Sequence, residues 1–120
     1  MPDEQRVQIR TWKPPQAEGA LVVEVVGDLS EEDAIAELDQ VIRRLLVEGR
    51  RRLVLDLSRT TFLNTRAIGI LAQAQKRARD RNGELRIAGA TDDIWRVIEM
   101  VWLHRMIPCH ADVREALRSF

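Results

Sequence analysis

The hydrophobic residues of the chain form short β-branched runs, separated by longer stretches in which they recur every three or four positions. Runs over residues 21–26, 53–57 and 85–88 predict buried strands, because β-branched and aliphatic side chains suit a covered sheet. Alternating apolar and polar residues over 7–12 predict a short edge strand. A weak further strand is predicted at residues 106–107.

The stretches with helical spacing begin and end at residues with known capping chemistry. We predict that the Ser30 hydroxyl caps the first helix and that Gly49 ends it. A second helix follows a loop that we predict over residues 58–64. Thr91 is predicted to cap a third helix and Asp112 a last one.

Strands that alternate with helices in this order imply β-α-β units and therefore an α/β fold. We expect a mixed sheet of four or five strands, with its first pair antiparallel, covered by about four helices. In open sheets of this kind, functional residues collect in loops that leave the carboxyl ends of the strands. The outstanding loop of that kind runs over residues 56–66.

Length and composition narrow the class of protein. A chain of 120 residues is the size of one domain, which we assign to residues 1–120. It carries 19 basic and 19 acidic residues, and this balance argues against a general binder of nucleic acid or anionic membranes. No apolar run approaches the roughly 20 residues of a membrane span, and the first residues resemble neither a signal nor a transit peptide. We therefore expect a cytoplasmic protein without membrane insertion.

Catalytic chemistry has little support in the sequence. A glycine-rich phosphate loop, a nucleophile elbow and metal-binding His/Glu spacing are all missing. Cys109 is the only cysteine, and it precedes one of the two histidines, His110. A thiolate–imidazole pair would need these side chains to face each other, which adjacent residues rarely do. We expect a non-enzymatic protein with no cofactor and no metal.

Two further groups of residues have both a structural and a functional interpretation. We interpret the arginines at 50–52, 77, 79 and 81 as a solvated surface, with a basic patch as the alternative. Trp95 and Trp102 are seven positions apart, so a third helix that continued that far would place both on one side. There they would be part of the core or an anchor for a partner.

Residues 62–69 form the most specific candidate site. Asn64 or Thr65 would cap the second helix, and that role alone could account for both residues. The same geometry places a hydroxyl beside free N–H groups and a partial positive charge, which favour a phosphate. A phosphate on Thr65 would add about −1.5 to −2 charge without melting the helix, so it would act on a bound partner.

An ordered set of motifs resembles the STAS family (sulfate transporter and anti-sigma factor antagonist domains), and specifically its stand-alone bacterial anti-sigma factor antagonists. The resemblance covers residues 21–117 and implies the STAS fold, with its mixed sheet and covering helices. The segments that carry it are the turn at 25–29, the strand at 53–58, the loop at 62–65, the strand at 84–89 and the helical segment at 97–100.

The resemblance implies a role in partner switching. In that family, the first serine of an Asp-Ser-Ser-Gly loop takes a phosphate from an anti-sigma factor with a histidine-kinase-like ATPase fold. The unphosphorylated protein binds the anti-sigma factor and frees the sigma factor. Here Asn64 stands at the acid, Thr65 at the phosphoacceptor and Arg66 at the second serine. The resemblance implies that Asp28 and Ser30 lie on the same partner-binding surface.

Two departures from the family pattern affect the expected mechanism. Asn64 cannot receive the hydroxyl proton as a carboxylate could. Arg66 puts a bulky cation where a small residue is expected, and it could block the kinase or pair with a phosphate on Thr65. Binding without phosphorylation therefore stays open, as do a structural subunit of a signalling assembly, a transporter-associated regulator and a small-ligand sensor. Homo-oligomerisation is a further open expectation.

Overall fold

Six strands and four helices occur along the residues that the computed structural model describes, which are 7–15, 17 and 19–120. The strands are β1 (Gln8–Trp12), β2 (Ala20–Leu29), β3 (Arg52–Asp56), β4 (Thr60–Leu63), β5 (Glu84–Ala88) and β6 (Cys109–His110). The helices are α1 (Glu32–Val47), α2 (Thr65–Asp80), α3 (Asp92–Met100) and α4 (Val113–Arg118), and a 3-10 turn, Leu103–Arg105, follows α3.

The sheet has the spatial order β1-β2-β3-β5-β6, and β4 pairs with the far end of β2. Strand β1 lies at an edge and pairs antiparallel with β2, whereas all other pairs are parallel. The predicted α/β fold with a mixed sheet, an antiparallel first pair and four helices is therefore confirmed. Over the described residues the sheet has six strands rather than four or five.

The additional strand, β4, lies in the segment that we predicted as a loop over residues 58–64. The Thr60 hydroxyl donates to the Val25 carbonyl at 2.8 Å inside the protein, and this bond fixes the start of β4 beside β2. Two of the four β4 residues are exposed and two are threonines, so the segment carries no run of apolar side chains. Its strand conformation comes from pairing with β2, which a local hydrophobic pattern does not show.

The weak strand predicted at residues 106–107 is also placed wrongly. Met106 ends the 3-10 turn, and the Ile107 N–H bonds to the Leu103 carbonyl at 2.9 Å instead of joining the sheet. The strand forms three positions later than predicted, where Cys109 pairs with Ile87. Ile107 is fully buried, so its hydrophobicity reflects the core rather than a strand.

The two faces of the sheet are covered unequally. Helices α1, α2 and α3 bury their apolar faces, including Ile35, Leu71 and Ile94, against one side of the sheet. A smaller cluster on the other side joins Val22 of β2 to Ala116 of α4. Neighbouring residues of β2 therefore point into different clusters, as the two-residue period of a strand requires.

The helix ends agree with the predicted caps except at Ser30. The Thr91 hydroxyl accepts from the Ile94 N–H at 3.5 Å, and the Asp112 carboxylate accepts from the Glu115 N–H at 2.8 Å. By contrast, α1 begins one residue later than predicted, so its N-cap is Glu31, which makes no side-chain capping bond. The prediction that the Ser30 hydroxyl caps α1 is wrong.

Candidate functional site

Strands β2 and β4 form the base of the candidate site. At their carboxyl ends the two strands pair in parallel, with Asp28 opposite Phe62 and Leu29 opposite Leu63. Leu29 and Leu63 are both buried, so each strand is anchored in the core immediately before it leaves the sheet. The chain therefore enters α1 and α2 from two adjacent and well-anchored positions.

Asn64 caps α2 with its side chain. Its Oδ1 accepts from the Ala67 N–H at 2.9 Å, which satisfies one of the free donors of the first turn. Its Nδ2 donates to the Ser30 carbonyl at 3.3 Å and so links the start of α2 to the chain just before α1. An aspartate could make the first bond but has no N–H for the second. The amide thus makes two contacts here, of which a carboxylate could make one.

Thr65 is the first residue of α2, and its side chain is exposed. Of the side-chain hydrogen bonds within the described ranges, none involves its hydroxyl. The first turn of α2 holds no acidic side chain, while the helix macrodipole places partial positive charge there. The site can therefore accommodate negative charge at Thr65 without a carboxylate on the same turn opposing it.

Arg66 points toward the neighbouring helix. Its Nε lies 3.1 Å from the Glu32 Oε2 in the first turn of α1, and both side chains are largely exposed. An exposed pair of this kind contributes about 0–1 kcal/mol to stability, so the contact can be exchanged at low cost. The guanidinium is thus held at Glu32 by an interaction that a stronger anion could replace.

The five residues proposed from the sequence are only partly in contact. Ser30 and Asn64 are joined by a hydrogen bond, and Asn64, Thr65 and Arg66 are consecutive. Asp28 is exposed on the same strand end, but its side chain makes no hydrogen bond or ion pair within the described part of the chain. The surface is therefore a strand end and a helix start placed side by side, not a closed pocket.

Sequence reasoning left two residues of this surface without a role. Glu32 was not among the candidate residues, yet it is the ion-pair partner of Arg66. Phe62 is half-exposed on β4, where it lies opposite Asp28. In the sequence, Phe62 stands out as an aromatic residue within a polar segment. Its position on the surface becomes clear only once β4 is recognised as a strand.

Cys109 and His110 do not form a catalytic pair. Burial raises the pKa of the Cys109 thiol from 9.0 to about 11, and its Sγ donates to the Ile107 carbonyl at 3.3 Å. His110 contacts Arg86 and Glu115 instead, at 3.2 and 3.4 Å. A protonated thiol without a base cannot act as a nucleophile, so the geometry opposes thiol chemistry here.

The arginines at the carboxyl end of α2 are largely paired. Arg77 lies 3.5 Å from Asp39 of α1, and Arg79 lies 3.4 Å from Glu84 of β5. Arg81 donates to the Leu46 carbonyl at 3.4 Å. Arg77 and Arg79 are therefore neutralised by carboxylates, as expected of a solvated surface, whereas Arg81 meets only a backbone carbonyl.

Trp95 and Trp102 do not share a helix face. Helix α3 ends at Met100, and Trp102 adopts a left-handed backbone conformation with φ of 64°. Trp95 is half-buried and packs edge-on against His104, with ring centroids 5.5 Å apart. Trp102 is 59% exposed. The helix therefore does not continue far enough to place both on one side, and of the two only Trp102 is exposed enough to serve as an anchor.

Comparison with known proteins identifies the family of the fold. The family model of the STAS domain matches residues 11–116. An anti-sigma factor antagonist from Mycobacterium paratuberculosis superposes with a TM-score of 0.83 at 22% identity, covering 96% of this chain and 94% of that one. The phosphorylated form of the Bacillus cell fate determinant SpoIIAA gives 0.69 at 14% identity, with coverages of 95% and 98%.

A transporter-related protein shares the same architecture. A sulfate transporter family protein from Wolinella succinogenes superposes with a TM-score of 0.73 at 14% identity, covering 85% of this chain and 84% of that one. Because these three structures share less than 25% sequence identity with this chain, their similarity establishes the fold alone. Among the described residues, no helix combines the length and the apolar character needed to span a bilayer, and no cluster of three metal-binding side chains occurs.

Proposed function

This chain belongs to the STAS family, and on that premise we propose that it acts as an anti-sigma factor antagonist, controlled by phosphorylation of Thr65. Its partner is an anti-sigma factor with a histidine-kinase-like ATPase fold, and both act in the cytoplasm. The observation that carries the proposal is the exposed Thr65 hydroxyl at the start of α2. The role is one of binding; the chain itself supplies no catalytic group and needs no cofactor.

The surface supports a charge-controlled contact. In the unmodified state it presents a neutral hydroxyl beside the Arg66–Glu32 pair, whose opposite charges balance. A phosphate on Thr65 would add about −1.5 to −2 charge to that surface. An interface that buries the unmodified hydroxyl cannot bury this charge without new partners, so the complex dissociates while the fold persists.

Phosphate transfer places one requirement on the partner. The Thr65 oxygen forms a bond to the γ-phosphorus of ATP, the bond to the β-phosphate oxygen breaks, and ADP leaves. The hydroxyl proton must go to a base of the kinase, because the neighbouring Asn64 amide caps α2 and is not basic. Arg66 can turn from Glu32 toward the product phosphate, which makes it a positioning residue for the modified state.

The test uses purified histidine-kinase-like anti-sigma factors from the same organism. We expect one of them to bind the unmodified protein and to transfer phosphate to Thr65 in the presence of ATP, as detected by peptide mass mapping. Thr65→Glu should weaken binding by about tenfold or more, which corresponds to about 1.4 kcal/mol. Thr61→Glu is the matched control, because Thr61 is an exposed threonine on the adjacent strand β4.

Four results decide the mechanism. Equal loss of binding in both glutamate variants, or no phosphate on Thr65, would contradict the switch. Unchanged affinity of the Thr65→Glu protein would favour a constitutive binding role in a signalling assembly or beside a transporter. Arg66→Ser should accelerate phosphate transfer if Arg66 obstructs the kinase, and should slow it if Arg66 positions the phosphate.

A further inference from the structure

We infer that the carboxyl end of α3 is a second docking surface, and that its occupant is a second copy of this chain. The surface, called here the α3 patch, consists of Met100, Val101, Trp102 and Met106. These four are more than half of the seven large apolar side chains that are exposed among the described residues. All four lie within seven consecutive positions, and a surface rich in apolar side chains marks an interaction site, whereas isolated ones do not.

The backbone at Trp102 supports this assignment. Trp102 follows the C-cap of α3, at a position where glycine is usual because the conformation is left-handed. A bulky residue is unfavourable there, and its ring remains 59% exposed instead of packing in the core. Burial within the monomer therefore does not account for tryptophan at this position, whereas burial of its ring against another molecule would account for it.

The α3 patch is separate from the Thr65 surface. The Met106 carbonyl accepts from Gln75 Nε2 and from the Arg79 guanidinium, each at 3.1 Å, which places the patch beside the carboxyl half of α2. Those two residues lie 10 and 14 positions beyond Thr65, roughly 15–21 Å along the helix axis. A copy bound at the patch and a partner bound at Thr65 are therefore independent events.

The charges around the patch make it complementary to itself. Glu99 and Arg105 are both exposed, and neither forms an ion pair within the part of the chain that the structure describes. The Arg105 guanidinium lies over the Trp102 ring at 4.5 Å from its centroid. In a two-fold dimer, Glu99 of each copy can meet Arg105 of the other, so the pair forms twice. The chain has zero formal net charge, so two copies do not repel each other.

The first experiment is sedimentation velocity over a wide range of protein concentrations. We expect the mass to rise from 13.8 kDa toward twice that value. Trp102→Gly should abolish the rise while leaving the melting temperature of the monomer unchanged or higher, since glycine accepts the left-handed conformation. Val47→Ala is the control, because Val47 is 70% exposed outside the patch and its loss should not affect the dimer. A wild type that stays monomeric, or a dimer that survives Trp102→Gly, would overturn the inference.

The second experiment exchanges the charges. Glu99→Arg and Arg105→Glu should each remain monomeric, because each places like charges opposite one another in the dimer. An equimolar mixture of the two variants should form a heterodimer, because both contacts then join opposite charges. A mixture that stays monomeric while the wild type dimerises would exclude this two-fold arrangement. Neither experiment involves an anti-sigma factor, so failure here and failure of the proposed switch are distinguishable.

Discussion

The amino end of α2 and the carboxyl end of α3 are both exposed helix ends, yet the first presents polar side chains and the second apolar ones. At the start of α2, Asn64 satisfies the backbone with its side chain, and Thr65 and Arg66 extend into solvent. At the end of α3, Trp102 holds an unfavourable backbone conformation and the exposed side chains are apolar. The first end is relaxed and polar, and the second is strained and hydrophobic.

This difference suits the two ends to different kinds of contact. A polar end whose side chains take no part in the core can gain a charge without loss of the fold, which is what a reversible modification requires. An apolar end contributes binding energy through burial and responds little to charge. Helix α2 is in contact with the α3 patch as well as bearing Thr65, because Gln75 of that helix donates to the Met106 carbonyl.

Replacement of Gln75 should have the largest effect on this arrangement. Its fully buried amide accepts from the Leu85 N–H at 2.8 Å and donates to the Leu85 and Met106 carbonyls. Gln75→Ala leaves these groups unsatisfied and opens a cavity, so unfolding by urea should show a loss of about 2–4 kcal/mol. Gln75→Leu restores the volume but not the hydrogen bonds, and should recover only part of that loss.

Gln73→Ala is the control for the Gln75 variants, because Gln73 is an exposed glutamine on the same helix. It should change the free energy of unfolding by less than about 0.5 kcal/mol. A Gln75→Ala protein with the stability of the control would show that the polar contacts of Gln75 do not hold the patch segment. The two regions would then be structurally unconnected.

The reactivity of Cys109 should report how firmly the segment after the patch is held. Because burial raises the pKa of this thiol from 9.0 to about 11, its thiolate fraction at pH 8 is about a hundredfold below that of the unfolded chain. Alkylation of the folded protein should be slower by about that factor. A folded pKa above the unfolded value stabilises the fold below pH 9, and this contribution disappears as the pH rises from 9 to 11.

The alkylation rate distinguishes a closed segment from an open one. If the folded and unfolded proteins react equally fast at pH 8, the segment opens readily and the patch is not preformed. Gln75→Ala should accelerate the reaction, since it releases the Met106 carbonyl three residues before the thiol. Asn64→Ala serves as a comparison, because it acts at the distant end of α2 and should leave the rate unchanged.

Replacement of Asn64 tests the polar end and should have the smallest effect. Asn64→Ala removes the cap of α2 and the link to Ser30, for a loss of about 1–2 kcal/mol in urea unfolding. Asn64→Asp keeps the cap and adds a charge that the helix dipole favours, but loses the donor to the Ser30 carbonyl. It should lie between the wild type and the alanine variant. Equal stability of all three proteins would show that the start of α2 is positioned by packing alone.

Much of the fold follows from local patterns along the chain. The central strands were predicted because their apolar runs are long enough to stand out, and Thr91 and Asp112 were predicted because a cap bonds only three residues ahead. Asn64 was recognised as a candidate cap for the same reason. Each of these interactions depends on residues that are close in sequence, so composition and spacing contain the necessary information.

The errors share a different cause. Ser30 was given a hydroxyl cap, whereas α1 begins after Glu31 and the Ser30 carbonyl instead accepts from Asn64, 34 positions later. The segment containing Thr60 was predicted as a loop, whereas its hydroxyl bonds to Val25, 35 positions earlier. In both cases the segment is held by a partner distant in sequence. Local sequence patterns do not show contacts between residues that become neighbours only when the chain folds.

By itself the sequence determined the α/β class, the order of the main elements and the helix start that bears Thr65, because local hydrogen bonding and hydrophobic period specify these features. Tertiary structure alone decided that β4 extends beside β2, that Arg66 meets Glu32 and that Trp102 faces solvent at the end of α3. These features involve polar or isolated side chains that contact residues of other elements. The free energy of such a contact depends on the tertiary environment rather than on the residue type alone.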